Sequence, residues 1–281
     1  MDELDTLLKK WADDAQTVRV EDYSIPGFTG RIEARLYVPA NVAGPLPCML
    51  YFHGGGFIGG DLEDADLPAR HIAANVPTAV LSVAYSLAPS HPFPAAPEDA
   101  FAAARWLQGN ALNRRIDTMR LAVGGDDAGG NIAATLAFMA RDRNGPAIAA
   151  QVLIGPMLDP SLTNLGDAKR LDSDIKPSEC AECYAKYLPA TYQRLHPYAS
   201  PLLSRRLRGL PPAMIATAER DVLHREAELY ATALIDSGVP TQIKRYPVKH
   251  GELPIFGALL EDVEIFLRQH LRINRADSPS S

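Results

Sequence analysis

The sequence predicts an α/β fold: a mostly parallel central sheet with helices on both faces and a small helical cap. Three observations predict it. Short continuous apolar runs, of the kind found in strands buried on both faces, alternate with helix-like runs from Leu46 to Leu271. Two of those strands run directly into glycine clusters, His53-Gly54-Gly55-Gly56 and Gly124-Gly125 with Gly129-Gly130. One stretch, residues 158–209, interrupts the alternation with little β character and with Tyr184, Tyr187, Tyr192 and Tyr198, and it reads as a helical insertion forming part of the cap.

In chain order, residues 1–16 form an amphipathic helix, with Leu4, Leu7, Leu8 and Trp11 at helical spacing. Residues 17–24 and 31–38 alternate apolar and polar positions across Pro26-Gly27 and Gly30, which predicts an antiparallel hairpin. Leu46 to Phe52 is a buried strand, followed by a helix at about 64–74 and a second buried strand at Thr78–Val83. Ala84 to Pro97 is a proline-rich loop, and Glu98 to Gln108 a helix carrying Trp106. Met119–Val123 and Asn131–Arg141 are the strand and helix around the second glycine cluster, and Ala150–Ile154 is the next strand. After the insertion come a strand at Pro212–Thr217, a helix at 224–237, a strand at 240–246 and a helix at 257–271, with a frayed tail beyond Asn274. The expected division is residues 1–24 as cap helix and first strand, 25–157 and 210–274 as core, 158–209 as cap insertion and 275–281 as tail.

Composition narrows the functional classes. The net charge of −6 and the lack of a basic stripe exclude a nucleic-acid partner. The acidic start MDELDTLLKKWADDAQ is not a signal peptide. No run approaches the roughly eighteen apolar residues of a membrane span. With only three cysteines, a cytoplasmic protein is expected. Cys180 and Cys183 have C-x-x-C spacing but neither a strand–helix junction nor a second ligand pair, so they read as ordinary helix residues. No cofactor or metal is expected; the partner is a small-molecule substrate, and a homodimer is compatible with the sequence.

In open α/β sheets functional groups lie beyond the carboxyl ends of the strands. That points to the loops after Phe52, Val123, Thr217 and Tyr246. Gly125-Asp126-Asp127-Ala128-Gly129 fills the G-x-S-x-G pattern of a nucleophile elbow, with Asp127 where serine is expected. The glycine run His53–Gly56 presents backbone N–H groups to a developing oxyanion, each such donor contributing about 3 kcal/mol in a transition state. Asp221 follows a strand, where an acid that orients a histidine belongs, and His250-Gly251 follows the last strand. Nucleophile, acid, histidine is the α/β-hydrolase chain order.

These motifs identify a resemblance. From about Ile25 to Leu271 the chain resembles the hormone-sensitive-lipase-like family of α/β-hydrolases, also called α/β-hydrolase fold-3. The residues that carry it are Tyr51–Phe57, Leu87-Ala88-Pro89, Pro92–Ala96, Gly125-Asp126 with Ala128–Gly130, Tyr198–Pro201 and Tyr230-Ala231. The resemblance implies an esterase-type α/β-hydrolase fold, a catalytic triad at positions 127, 221 and 250, and oxyanion donors at Gly54, Gly55 and Ala128. The chain departs from the family at Asp127 for serine and at Ala84-Tyr85-Ser86 for the usual Asp-Tyr-Arg, which removes a charge pair. It also departs at Ser90 for glutamate and at Glu252 for phenylalanine. The shorter segment before the glycine loop predicts a cap that covers less of the site.

An aspartate at 127 changes the chemistry. His250 would lie between Asp127 and Asp221, both of which favour imidazolium, and a protonated histidine cannot act as general base. Carboxylate attack on an ester would also give a reactive anhydride. Ordinary esterase activity is therefore expected to be weak or absent. Four readings follow. The site is an esterase pocket with a substituted nucleophile. Or Asp127 attacks an alkyl carbon, as in epoxide or haloalkane hydrolysis, where forming the ester neutralises Asp127 and frees His250 to activate water. Or Asp127 and His250 act as an acid–base pair for elimination, cyclisation or decarboxylation, with Glu252 beside the site or, more simply, facing solvent. Or the chain is a non-catalytic ligand binder. The first is the expected one.

Overall fold

The computed structural model describes residues 17–40, 42 and 44–273, so the helix expected over residues 1–16 and the tail expected over 275–281 lie outside the described residues. Eight strands form one sheet in the order β1-β2-β4-β3-β5-β6-β7-β8. They are β1 (Val18–Pro26), β2 (Arg31–Pro39), β3 (Leu46–Phe52), β4 (Ala79–Val83), β5 (Ile116–Asp126), β6 (Ile148–Ile154), β7 (Ala213–Arg220) and β8 (Thr241–Lys249). β1 and β2 form the expected antiparallel hairpin, β2 pairs antiparallel with β4, and every other pairing is parallel. β3 and β4 are buried along their whole length, as their uninterrupted apolar sequences require.

Helices cover both faces. On one, α1 (Asp66–Asn75) and α7 (Gly257–His270) pack Ala69, Ile72, Leu259, Val263 and Phe266 against Met49, Tyr51 and Val152. On the other lie α2 (Ala95–Arg114), α3 (Asp127–Asp142) and α6 (His224–Asp236), over Leu50, Phe52, Val123 and Leu153. α3 is buried from Ala128 to Ala140, the mark of a central helix rather than an amphipathic surface one. Among the described residues no helix is long and apolar enough to cross a membrane.

Two expectations need correction. α2 begins at Ala95 rather than Glu98, with Pro97 inside it. A proline in the first turn forfeits no intrahelical hydrogen bond, so it does not mark a loop there. The segment between β6 and β7 is less helical than expected. It contains α4 (Ala168–Leu171), α5 (Pro177–Tyr187) and two short 3-10 turns, Thr191–Leu195 and Pro201–Leu203, joined by loops. Pro160, Pro189, Pro197 and Pro201 break it into these pieces.

β3 sits between β4 and β5, so the chain winds away from it in opposite directions and leaves a crevice at the carboxyl ends. Register sets what meets there. Phe52 of β3 pairs with Gly125 of β5, so the loop that begins at His53 and the turn that begins at Asp126 leave the sheet side by side.

Candidate active site

Strand β5 ends at Asp126 and helix α3 starts at Asp127, with no linker between them. The chain turns in that space because Asp127 adopts a left-handed conformation, φ 51°. This costs a non-glycine residue on the order of 1–2 kcal/mol. It is the sharp strand-to-helix turn of a nucleophile elbow. The turn is possible because Gly129 has no side chain: a Cβ there would lie 2.0 Å from the Phe52 carbonyl oxygen.

The neighbouring loop is shaped by Gly55 and Gly56, with φ of 101° and 60°. Their N–H groups converge on one oxygen. Both donate to Asp127 Oδ2, at 3.0 Å from Gly55 and 2.7 Å from Gly56. The donor pair is thus Gly55 and Gly56, not the expected Gly54 and Gly55. Gly54 contributes space instead, since a Cβ there would fall 2.4 Å from Asp126 Oδ2. Gly56 was legible in the same glycine run, but which two amides converge depends on the turn. Ala128 is fully buried in the first turn of α3, whose amides have no intrahelical acceptor. The loop is braced from behind. Tyr85 Oη donates to the His53 carbonyl at 2.9 Å and its ring stacks on His53 with centroids 4.3 Å apart.

His250 lies just after β8, with Nδ1 2.9 Å from Asp221 Oδ2 and Nε2 3.7 Å from Asp127 Oδ1. Asp221 is fully buried, and its other oxygen accepts the Leu223 amide at 2.8 Å. The expected triad positions 127, 221 and 250 therefore come together in line. Sequence reasoning missed Asp174, from the loop before α5. Its carboxylate accepts the amides of His250 and Gly251, at 3.1 and 2.9 Å, and fixes the turn that carries the imidazole.

Electrostatics follow from this packing. Burial by itself would lower the pKa of His250. The charge and hydrogen bond of Asp221, with the charges of Asp127 and Asp174, outweigh it and raise the pKa to about 9. A rise in this direction favours the imidazolium form of the ring at neutral pH. Burial raises Asp126 to about 7 and Asp127 adds to the rise, while the 2.9 Å hydrogen bond from Tyr51 Oη and the charge on His250 oppose it.

The carboxylate of Asp127 and the ring of His250 line a cavity of about 490 Å³. Met157, Ile175, Pro254 and Ile255 supply apolar wall, Cys180 and Cys183 of α5 supply thiols, and Asp64 and Glu179 add negative charge; among the described residues no lysine or arginine lines it. Burial pushes the Cys183 thiol up to about 11 and also raises Cys180, so both stay protonated. Glu252 points away from the cavity: it is exposed, accepts the Lys249 amide at 2.8 Å and lies 3.5 Å from Arg220. At Ala84-Tyr85-Ser86 the buried Asp99 is satisfied by backbone instead of a cation. It accepts the amides of Phe28 and Ser86 at 2.6 and 2.8 Å.

Residues 49–252 match a family model described as the alpha/beta hydrolase fold. Carboxylesterase NlhH of Mycobacterium tuberculosis is 39% identical over 242 residues, covering 83% of this chain and 75% of that protein. Ethyl acetate hydrolase of Pseudomonas putida is 33% identical over 254 residues, covering 87% and 79%. Among solved structures, an esterase of Pyrobaculum calidifontis superposes with a TM-score of 0.82 at 37% identity, covering 99% of this chain and 95% of that one.

Proposed function

The chain belongs to the α/β-hydrolase fold family and is carboxylesterase-like, and on that premise we propose that it carries an esterase-type site for a small acyl or ester-like ligand in which Asp127 stands where the nucleophilic serine belongs. One observation carries this reading. Asp127 Oδ2 takes both glycine amides while Oδ1 faces His250. The side chain thus occupies the place of an acyl carbonyl oxygen and the place of the attacking oxygen together. Asp221 and His250 keep the acid and base roles, and the backbone pair keeps the oxyanion role. The name of the Pseudomonas putida relative, ethyl acetate hydrolase, suits a small ester.

Three physical consequences make ester hydrolysis by this chain weak or absent. An ester carbonyl must displace Oδ2 to reach the amides of Gly55 and Gly56. The imidazolium of His250 has no lone pair at Nε2 to take a proton. Attack by Oδ1 on an acyl carbon would give an anhydride. Serine at 127 removes the first and third obstacles, because its single short hydroxyl leaves the amides free and its attack gives an ordinary ester, and it weakens the second by taking away one of the charges that hold His250 protonated. The test is hydrolysis of p-nitrophenyl acetate by the chain and by Asp127→Ser. The serine variant is expected to exceed the chain by at least about 10³-fold, the scale of loss when a triad nucleophile is removed. Equal rates, or two inactive proteins, would refute the reading.

A further inference from the structure

We propose that the cavity at Asp127 takes a positively charged ligand: a small acyl ester whose alcohol part carries an alkylated ammonium group. The inference rests on the esterase-type reading of the site and deepens it by naming the charge of what fills it.

The cavity is lopsided in charge. Carboxyl groups reach it from separate parts of the fold: Asp64 from the loop before α1, Asp126 from the end of β5, Asp127 from the start of α3 and Glu179 from α5. His250 is the one basic side chain among the described residues that line it. Its charge does not balance theirs, because it is already shared between Asp221 at 2.9 Å and Asp127 at 3.7 Å. Two carboxylates around one imidazolium leave an excess negative charge before Asp64 and Glu179 are counted.

Those two carboxylates keep most of their effect. Asp64 accepts the Asp61 amide at 3.0 Å and has no ion pair among the described residues. Glu179 lies 3.5 Å from Lys176, but both side chains are exposed and Lys176 is outside the lining. On Asp127, Oδ2 is held by the Gly55 and Gly56 amides, while Oδ1 accepts no hydrogen bond from the described residues. Neutral groups in the wall feel the same sign. Burial raises the Cys180 and Cys183 thiols, and the charge of Asp127 adds to the rise in both. Glu226 and Asp221 add further at Cys180; Glu182 and Glu179 do so at Cys183, against Lys186. A field that holds thiols protonated also attracts a cation.

The walls specify the kind of cation. Met157, Ile175, Pro254 and Ile255 offer apolar contact to alkyl groups on nitrogen. An acyl carbonyl seated at the Gly55 and Gly56 amides leaves the alcohol part to the rest of the cavity, where the exposed carboxylates of Asp64 and Glu179 lie. An ester bearing its own carboxylate is disfavoured on the same ground.

The test compares two acetates of the same shape, acetylcholine and the neutral 3,3-dimethylbutyl acetate. Calorimetry on the native chain is expected to show acetylcholine bound at least about tenfold more tightly at low salt. In Asp127→Ser, kcat/KM is expected to favour acetylcholine in the same direction. Both ratios should narrow at high ionic strength, and both should narrow when Asp64→Asn and Glu179→Gln are combined. Equal or weaker binding of acetylcholine would overturn the proposal, as would a preference untouched by salt or by the double substitution. If the serine variant hydrolyses both esters equally well and the native chain shows no preference, the esterase-type reading stands and this inference falls. If the serine variant hydrolyses neither ester while the native chain binds acetylcholine preferentially, the charge selection stands and the esterase-type reading falls.

Discussion

Two carboxylates flank His250, and the fold builds them in opposite ways. Asp221 is fully buried, has one oxygen satisfied by the Leu223 amide and approaches Nδ1 at 2.9 Å. Asp127 opens to the cavity, hands one oxygen to two glycine amides and leaves the other 3.7 Å from Nε2. Asp221 has the placement of a group that orients an imidazole. Asp127 has the placement of a group that fills the space where a reacting oxygen and an oxyanion would sit. A carboxylate can therefore support or obstruct the same histidine, depending on which side of the ring it occupies and on whose amides it takes.

The largest effect should appear where the supporting side is broken. In an Asp127→Ser background, Asp221→Asn is expected to lower kcat for p-nitrophenyl acetate by about 10⁴-fold, because the amide cannot hold the productive tautomer. In the native chain, where the proposed reading expects a low rate, the same change should make little difference. Steady-state kinetics on the two pairs decides it.

Stability of the obstructing side depends on backbone contact. Gly129→Ala would bring a methyl to 2.0 Å from the Phe52 carbonyl, so the elbow must shift away from β3. A loss of about 3 kcal/mol or more is expected in urea unfolding, against a gain of about 0.5–1 kcal/mol for alanine at Gly109, which lies inside α2 with nothing within 4 Å.

pH sharpens the comparison. His250 is raised from 6.5 to about 9 in the folded state, so its contribution is fully present below 6.5 and is lost as pH rises through about 9. Asp126, raised from 3.8 to about 7, acts with the same sign over a lower window: its contribution is lost as pH rises from 3.8 through about 7. Thermal melts should fall across both windows. Asp126→Asn should flatten the lower one, and Asp127→Ser should shrink the upper one by removing one of the charges that stabilise imidazolium.

The smallest effect is expected at Glu252→Gln. Its carboxylate is exposed beside Arg220 and outside the cavity lining. Stability should change by no more than about 0.5 kcal/mol, and activity in the serine background should not change.

How much of this was legible in the sequence depended on whether the signal was local. β3 and the glycine run His53–Gly56, or β5 and Gly125–Gly129, lie adjacent in sequence, and each strand-to-glycine junction announces a site loop by itself. Asp221 and His250 were legible from their order and from the strands they follow. Asp174 was not. It meets His250 across a 76-residue separation, from a loop with no periodicity. The choice of Gly55 and Gly56 over Gly54 depends on the backbone dihedrals of the turn, which composition does not encode. Pro97 misled because the same residue that breaks a helix interior is accepted in its first turn. The segment after β6 misled because its tyrosines suggested helical packing, while its prolines cut the helices short.

The most direct measurement is an NMR pH titration of the His250 ring in the native chain and in Asp127→Ser. The charge arrangement predicts a midpoint at about 9 in the native chain and a clear downward shift in the serine variant. Identical midpoints in the two proteins would show that Asp127 does not hold the ring charged. A native midpoint at or below the ordinary value of 6.5 would contradict the account at its centre.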